Sequence, residues 1–184
     1  MKDVMLMLPS DWAIKAIAVL VVDEIDRLIV VKEIQDDPKI GKFYGMTSIP
    51  MGHLCMGETA QRAAIREFGE ETGKEIKILY PIGFFDILMV GAGLGDRAGV
   101  VAFYGRLTGK IVPKEVGQVE LLPSMPQSQF QQMNDFQLRP LNRQIYNAWK
   151  ALNLLVRDGK DPDWISKHLM ETIPAQVRRL WAME

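Results

Sequence analysis

The sequence predicts an α/β domain followed by helices, and three observations support this fold class. Apolar, β-rich runs recur between residues 13 and 122, one segment between them has helical spacing, and helical patterns take over from Arg139 onward. A chain of 184 residues is long enough to bury one substantial core. With 48% apolar and 24% charged residues, the composition is that of an ordinary globular protein.

The charge balance excludes several classes of partner. The formal net charge is −1, so bulk electrostatics attracts neither a nucleic acid polymer nor an anionic membrane. The apolar run Ala13–Val22 contains Lys15 and is too short to span a bilayer. Cys55 is the single cysteine, so no internal disulfide forms, and we expect a cytoplasmic protein.

The first elements in chain order are a hairpin and a helix. Residues 13–22 and 27–31 are apolar runs on either side of the polar residues 23–26, a pattern that predicts two paired strands. Residues 34–48 carry loop signals, including Asp-Asp-Pro and two glycines. Residues 58–72 then predict a helix, with Gly73 placed to end it.

More strands follow, and the chain ends in helical patterns. Residues 76–80, 84–90, 100–107 and 116–122 read as strands, with a hairpin loop at 91–99 and prolines breaking regular structure at 123 and 126. Residues 141–156 place Ile145, Trp149, Leu152 and Val156 on one helical stripe. We therefore expect a domain over residues 1–156. A helical extension over 157–184 would pack on that domain or on a partner subunit, which would make a homodimer.

An acidic helix face is the feature that points to chemistry. On the predicted helix, Glu67, Glu70 and Glu71 stand at i, i+3 and i+4 and share one face. Three carboxylates at this spacing repel one another unless a cation lies among them, and hard oxygen ligands suit magnesium or manganese. Arg66 precedes Glu70 by four residues and is placed to orient its carboxylate.

An acidic helix face alone is commonly a solvated surface, but the residues upstream form part of a longer signature. That signature resembles the Nudix box, G-x5-E-x7-R-E-U-x-E-E-x-G-U, in which U is a bulky apolar residue. Every fixed letter is present: Gly52, Glu58, Arg66, Glu67, Glu70, Glu71 and Gly73. The last apolar position departs from the pattern, because Lys74 stands there.

The resemblance implies an α/β/α sandwich around a mixed β-sheet, with additional C-terminal helices in this chain. It implies hydrolysis of a diphosphate linkage in a nucleoside diphosphate derivative, with Mg²⁺ or Mn²⁺ held by Glu67, Glu70 and Glu71. Glu58 either supports the metal site or interacts favourably, through its negative charge, with the positive end of the helix dipole. The carbonyl of Gly52 either binds metal, or the glycine serves an unusual backbone angle.

Two questions stay open at this point. The general base is a box glutamate, for which we take Glu70, or an acidic residue on a later loop, for which Glu115 is preferred over Glu120 because Glu120 falls within a predicted strand. The alternative function is a catalytically silent nucleotide-binding or regulatory domain, which predicts a damaged metal face. Here that face is intact, and no motif outside the box identifies the substrate.

Overall fold

The computed structural model describes residues 13–88, 97–113 and 119–161, together with Trp164 and Lys167. In this part of the chain there are nine strands and three α-helices. The strands are β1 (Ala13–Val22), β2 (Arg27–Leu28), β3 (Val31–Glu33), β4 (Thr47–Ser48), β5 (Met51–His53), β6 (Lys74–Leu88), β7 (Arg97–Ile111), β8 (Val119–Leu121) and β9 (Met125–Pro126). The helices are α1 (Ala60–Thr72), α2 (Gln127–Gln132) and α3 (Asn142–Arg157), and one 3-10 turn covers Pro38–Ile40.

The strands form two sheets. The larger sheet has the order β6-β7-β1-β2-β9, with β5 also paired to β1, and the smaller has the order β4-β3-β8. Strands β1 and β7 run parallel, whereas β6 and β7 form a long antiparallel pair, so the larger sheet is mixed. Strand β5 lies antiparallel to β1 with Gly52 opposite Ile17, which places the start of the glutamate-rich segment against the sheet.

The alternation along β1 explains the layers. Ile17, Val19 and Val21 are buried against α1, whereas Ala18 and Leu20 are buried in the core on the side of α3. A strand that is covered on both faces is apolar throughout, as residues 16–22 are. Helices therefore cover both faces of the mixed sheet, and the predicted α/β/α arrangement is confirmed.

Helix α1 starts and ends where local chemistry favours it. The Thr59 side chain caps the first turn by accepting a hydrogen bond from the amide of Arg62 at 3.3 Å. At the other end, Gly73 adopts a left-handed conformation, with φ of 72°, and its amide bonds to the carbonyl of Gly69 at 2.8 Å. The predicted C-cap is confirmed, and the helix starts two residues later than position 58.

Several boundaries differ from those predicted. The run 27–31 divides between β2 in one sheet and β3 in the other. Residues 76–80 and 84–88 belong to one long strand, β6, in which Pro81 and Gly83 fall at register irregularities against β7 and do not end it. The last two residues of the predicted strand 84–90 lie outside the described residues. The short helix α2 after Pro126 was not predicted. On α1, Ile65 is exposed, whereas Phe68 and Thr72 are buried.

Helix α3 packs as its spacing predicted. Ile145, Tyr146 and Trp149 are buried, and Leu152 and Val156 pack partly buried against the same core. The Trp149 ring lies 5.6 Å from the Tyr104 ring of β7, measured between centroids, so an aromatic contact joins helix to sheet. Beyond α3, residues 162–163, 165–166 and 168–184 lie outside the described residues, so the predicted tail helices are not assessed. The helices that the structure describes include none long and apolar enough to cross a membrane.

Candidate metal-dependent active site

The candidate site is formed by strand β5 and one face of helix α1. Strand β5 brings Gly52 and His53 beside the helix, and the loop between them carries Cys55 and Glu58. The buried alanines of α1, at positions 60, 63 and 64, let the helix lie close to the sheet. The opposite, acidic face of the helix is thereby turned towards β5 and its loop.

Arg66 is the centre of this face. Its Nη1 donates to Glu67 Oε1 at 2.8 Å and to Glu70 Oε2 at 2.9 Å. Its Nε and Nη2 donate to the two oxygens of Glu58 at 2.9 and 2.8 Å, and Nη2 also reaches the carbonyl of His53 at 3.0 Å. The pairing with Glu70 follows from the i, i+4 spacing, whereas the forked contact with Glu58 was not predicted.

Glu67 lies so close to Gly52 that any side chain at this position would displace its carboxylate. A Cβ atom added at Gly52 would stand 1.9 Å from Glu67 Cδ and 2.0 Å from Oε2. The amide of His53 donates to Glu67 Oε1 at 3.0 Å, which holds the carboxylate against the strand. Gly52 does not have a positive φ, so the alternative of an unusual backbone angle was wrong, and the glycine serves close approach of a carboxylate.

Glu71 points to the interior side of the face. Its Oε2 accepts a hydrogen bond from the amide of Met51 at 3.1 Å. Its pKa is raised to about 8, mainly because burial disfavours the charged carboxylate. The guanidinium of Arg139 opposes that rise in pKa, and the neighbouring carboxylates Glu33 and Glu67 add to it. In the absence of a cation this carboxylate therefore carries a proton near neutral pH.

Glu58 lies before the N-cap of α1 and belongs to the Arg66 network. Hydrogen bonding to Arg66 is the main cause that lowers the pKa of Glu58, and the amide of Cys55 also donates to it at 3.4 Å. The pKa of Arg66 is raised correspondingly, first by its bond to Glu58. Glu58 thus acts on the site through Arg66, and a contact with the helix dipole is not needed to account for it.

The candidates for general base are separated by the fold. Glu70 lies on the acidic face, 2.9 Å from Arg66. Glu115 lies outside the described residues, so its position is not assigned. Glu120 is in strand β8, as predicted, where its carboxylate forms an ion pair with Lys32 of β3. Of the candidate bases in the described part of the chain, Glu70 is therefore the one that lies at the site.

The donor set fits a hard divalent cation in its chemistry, because all the candidate ligands are carboxylate oxygens. The carboxylates of Glu58, Glu67 and Glu70 surround the Arg66 guanidinium, and the absence of a side chain at Gly52 leaves room for Glu67 beside the strand backbone. In this conformation the side chains bind Arg66 and backbone amides, and within the described ranges no three His, Cys, Asp or Glu side chains converge as metal ligands. Rotation of the carboxylates would be required to gather them on one ion.

Three residues near this face, Glu33, Lys42 and Arg139, were not identified from the sequence. Glu33 is fully buried, with its Oε1 accepting from Arg139 Nη1 at 2.9 Å and its Oε2 lying 2.9 Å from Lys42 Nζ. The residues come from three separate segments, so no local spacing could have joined them. A charged residue at the end of an apolar strand, as Glu33 is, was the one available signal.

Comparison with known proteins identifies the family. The family model of the NUDIX domain matches residues 13–148. A segment of 46 residues, 25% of this chain, is 46% identical to a protein of Mycobacterium tuberculosis named as a candidate mutator protein, MutT4. That match spans 18% of the length of the relative.

Solved structures give the same fold. A NUDIX hydrolase from Nitrosomonas europaea matches with a TM-score of 0.60 at 22% identity, over 76% of this chain and 90% of that chain. The NUDIX domain of Shewanella oneidensis NrtR, solved with ADP ribose, matches with a TM-score of 0.54 at 11% identity, over 75% and 86%. A NUDIX family hydrolase from Clostridium perfringens matches with a TM-score of 0.53 at 17% identity, over 80% and 99%. The chain therefore belongs to the Nudix family, as its sequence predicted.

Proposed function

We propose that this chain hydrolyses the diphosphate linkage of a nucleoside diphosphate derivative, with Mg²⁺ or Mn²⁺ held by Glu67, Glu70 and Glu71. The observation that supports the proposal is the gathering of the box glutamates around Arg66 on one helix face. A surface helix without a function would have no reason to collect this many carboxylates at one point. One structural relative was solved with ADP ribose and another is named a UDP-X diphosphatase, and both agree with this substrate class.

When bound, a divalent cation would screen the charge of the diphosphate and lower the pKa of a water molecule. The protein's own contribution is to hold the ligands. The amides of Met51 and His53 fix Glu71 and Glu67 from the strand side. Arg66 binds Glu67 and Glu70 from the helix side, so these contacts keep the carboxylates together on one face, from which they would rotate onto a cation. Glu58 and the Gly52 position support this arrangement.

For the general base we propose Glu70, with Glu115 as the competing candidate on the sequence evidence. Glu70 has Oε2 engaged by Arg66, and that bond holds its carboxylate on the helix face that carries the proposed metal ligands. A base on the same helix turn as the metal ligands would need no movement of a separate loop.

The test is a hydrolysis screen with matched variants. Purified protein is incubated with a panel of nucleoside diphosphate derivatives and Mg²⁺ or Mn²⁺, and released phosphate is measured after coupling to a phosphatase. Glu70→Gln and Glu71→Gln are expected to lower turnover by about 100-fold or more, because each removes a charged oxygen ligand or base. Glu75→Gln is the matched control, since Glu75 follows the helix, bonds to Thr108 and lies outside the Arg66 network.

The possible results distinguish a hydrolase from a catalytically silent nucleotide-binding domain. Metal-dependent release that is lost in the two site variants and kept in Glu75→Gln supports the proposal and reveals the substrate. Tight binding of a derivative without turnover by the folded protein would instead support the catalytically silent nucleotide-binding domain. Glu115→Gln decides the base: loss of turnover with unchanged metal affinity would move that role from Glu70 to Glu115.

The predictions about setting and assembly stay predictions. They are a cytoplasmic location, no nucleic acid polymer or membrane as partner, a domain boundary at residue 156 and a homodimer formed through the extension 157–184.

A further inference from the structure

A buried charge cluster lies behind the acidic face, and it consists of Glu33, Lys42 and Arg139. The Glu33 side chain has no exposed surface, and the Lys42 and Arg139 side chains are 11% and 12% exposed. Both cations lie 2.9 Å from the Glu33 carboxylate, one at each oxygen. The cluster therefore buries two positive charges and one negative charge, an arrangement that needs a reason beyond stability, because desolvating ions is costly.

The cluster is connected to Glu71 through the backbone. The amide of Thr47 donates to the carbonyl of Gln137 at 2.7 Å, and the amide of Arg139 donates back to the carbonyl of Thr47 at 2.9 Å. Four residues after Thr47, the amide of Met51 holds Glu71 Oε2 at 3.1 Å. The segment that carries Arg139 thus runs beside the strands that fix Glu71.

Arg139 has two carboxylates within its electrostatic reach. It is bonded to Glu33, and its positive charge also acts on the Glu71 carboxyl, where it opposes the rise in pKa. A guanidinium has five N–H donors, and the bond to Glu33 uses Nη1 alone. If Glu33 lost its charge, Glu71 would be the acidic partner left for Arg139 on this side of the helix, and a bidentate pair would block it as a metal ligand.

We propose that Glu33 is a positioning residue that retains Arg139 and so keeps Glu71 available to the metal ion. The inference rests on the proposed function, because it takes Glu71 as a ligand. It assigns a role to a buried carboxylate that lies outside the helix signature.

The test measures Mn²⁺ binding by the electron paramagnetic resonance signal of free Mn²⁺, with thermal unfolding in EDTA as a metal-free readout. Glu33→Gln is expected to weaken Mn²⁺ binding by about 10-fold or more, the size typical for the loss of a residue that orients a ligand. Adding Arg139→Met to Glu33→Gln is expected to restore binding to within about threefold of wild type, because the competing guanidinium is gone. Arg139→Met alone should bind like wild type.

Lys42→Met separates retention of Arg139 from a general charge effect. The double variant Glu33→Gln with Lys42→Met has the same net charge as the variant with Arg139→Met, but it leaves Arg139 unpaired. It should stay as weak as Glu33→Gln alone. Equal recovery by Lys42→Met and Arg139→Met would show that the net charge of the cluster, and not the pairing of Arg139, sets the affinity for Mn²⁺. That result would overturn the proposal.

Further variants keep the outcomes distinct. If Glu33→Gln does not fold, Glu33→Asp draws the carboxylate back and should weaken Mn²⁺ binding by about threefold to tenfold, again relieved by Arg139→Met. Arg143→Met is the matched control for losing an arginine of the same segment, since Arg143 pairs with exposed Asp135. Loss of binding in Glu71→Gln with normal binding in Glu33→Gln overturns this inference alone. Absence of Mn²⁺ binding by wild type overturns the proposed function with it.

Discussion

Glu71 is the residue whose charge should change most when a metal binds, and replacing it by glutamine tests this directly. Its pKa in the folded, metal-free protein is about 8, whereas an unperturbed glutamate has a pKa of 4.5. Burial is the main cause, and the contact with the Met51 amide does not offset it. Glu71→Gln keeps the shape of the side chain and removes the titration.

The sign and size of the effect follow from proton linkage. Because the folded protein holds this proton more tightly than the unfolded chain, Glu71 favours folding below pH 4.5, and this contribution is lost as the pH rises towards 8. The difference between the two pKa values corresponds to at most about 5 kcal/mol, and relaxation around the charged group should reduce it to about 2–4 kcal/mol. The Glu71→Gln variant should not lose this unfolding free energy as the pH rises, because glutamine does not titrate.

The assay is urea unfolding in EDTA at pH 5 and pH 8.5, for wild type and Glu71→Gln. Other titrating groups contribute equally to both proteins, so the difference between them isolates Glu71. Wild type should lose about 2–4 kcal/mol more unfolding free energy than the variant over this range. When Mn²⁺ replaces EDTA in the buffer, wild type should no longer lose this unfolding free energy, because the cation takes the place of the proton on Glu71. The same pH dependence in both proteins would refute the reasoning.

Three further variants address the geometry. Gly52→Ala should weaken Mn²⁺ binding by about 10-fold or more, because a Cβ would overlap Glu67, while circular dichroism shows an intact fold; normal binding would contradict this. Arg66→Lys should lower both Mn²⁺ affinity and the metal-free melting temperature, since one ammonium cannot replace the fork, and tighter binding would count against it. Asn142→Leu should lower unfolding free energy by about 1–3 kcal/mol, because it leaves the buried amide of Ile49 without its acceptor at 2.6 Å; an unchanged urea midpoint would rule that out.

The fold could be predicted where local signals agree with tertiary packing. Helix α1 was predicted because Gly73 ends a periodic segment, and β1 because its residues 16–22 are all apolar. The long strand β6 was divided wrongly, since Pro81 and Gly83 are breakers in isolation but are tolerated at irregular positions of a pair with β7. The short strands β2 and β3 could not be separated, because a continuous apolar run does not say where a chain leaves one sheet for another.

The site could be predicted only as far as side chains recur at fixed spacing. The acidic face and the Arg66–Glu70 pair follow from helical geometry. The backbone donors at Met51 and His53 carry no sequence signal, because every residue other than proline has an amide. The burial that raises the pKa of Glu71 and the cluster at Glu33 depend on contacts between residues far apart in the chain, such as Glu33 and Arg139.

The role of Arg66 turns on which oxygens it binds. It engages Oε1 of Glu67 and Oε2 of Glu70, and the amide of Met51 engages Oε2 of Glu71. Each of these bonds uses one oxygen of its carboxylate, so in the proposed site a cation could bind through the others while the guanidinium stays in place. An arginine that merely filled the place of the metal would compete with it, and its replacement would tighten metal binding. An arginine that orients the ligands gives the opposite sign, and weaker Mn²⁺ binding by Arg66→Lys would therefore identify Arg66 as part of the metal-bound site.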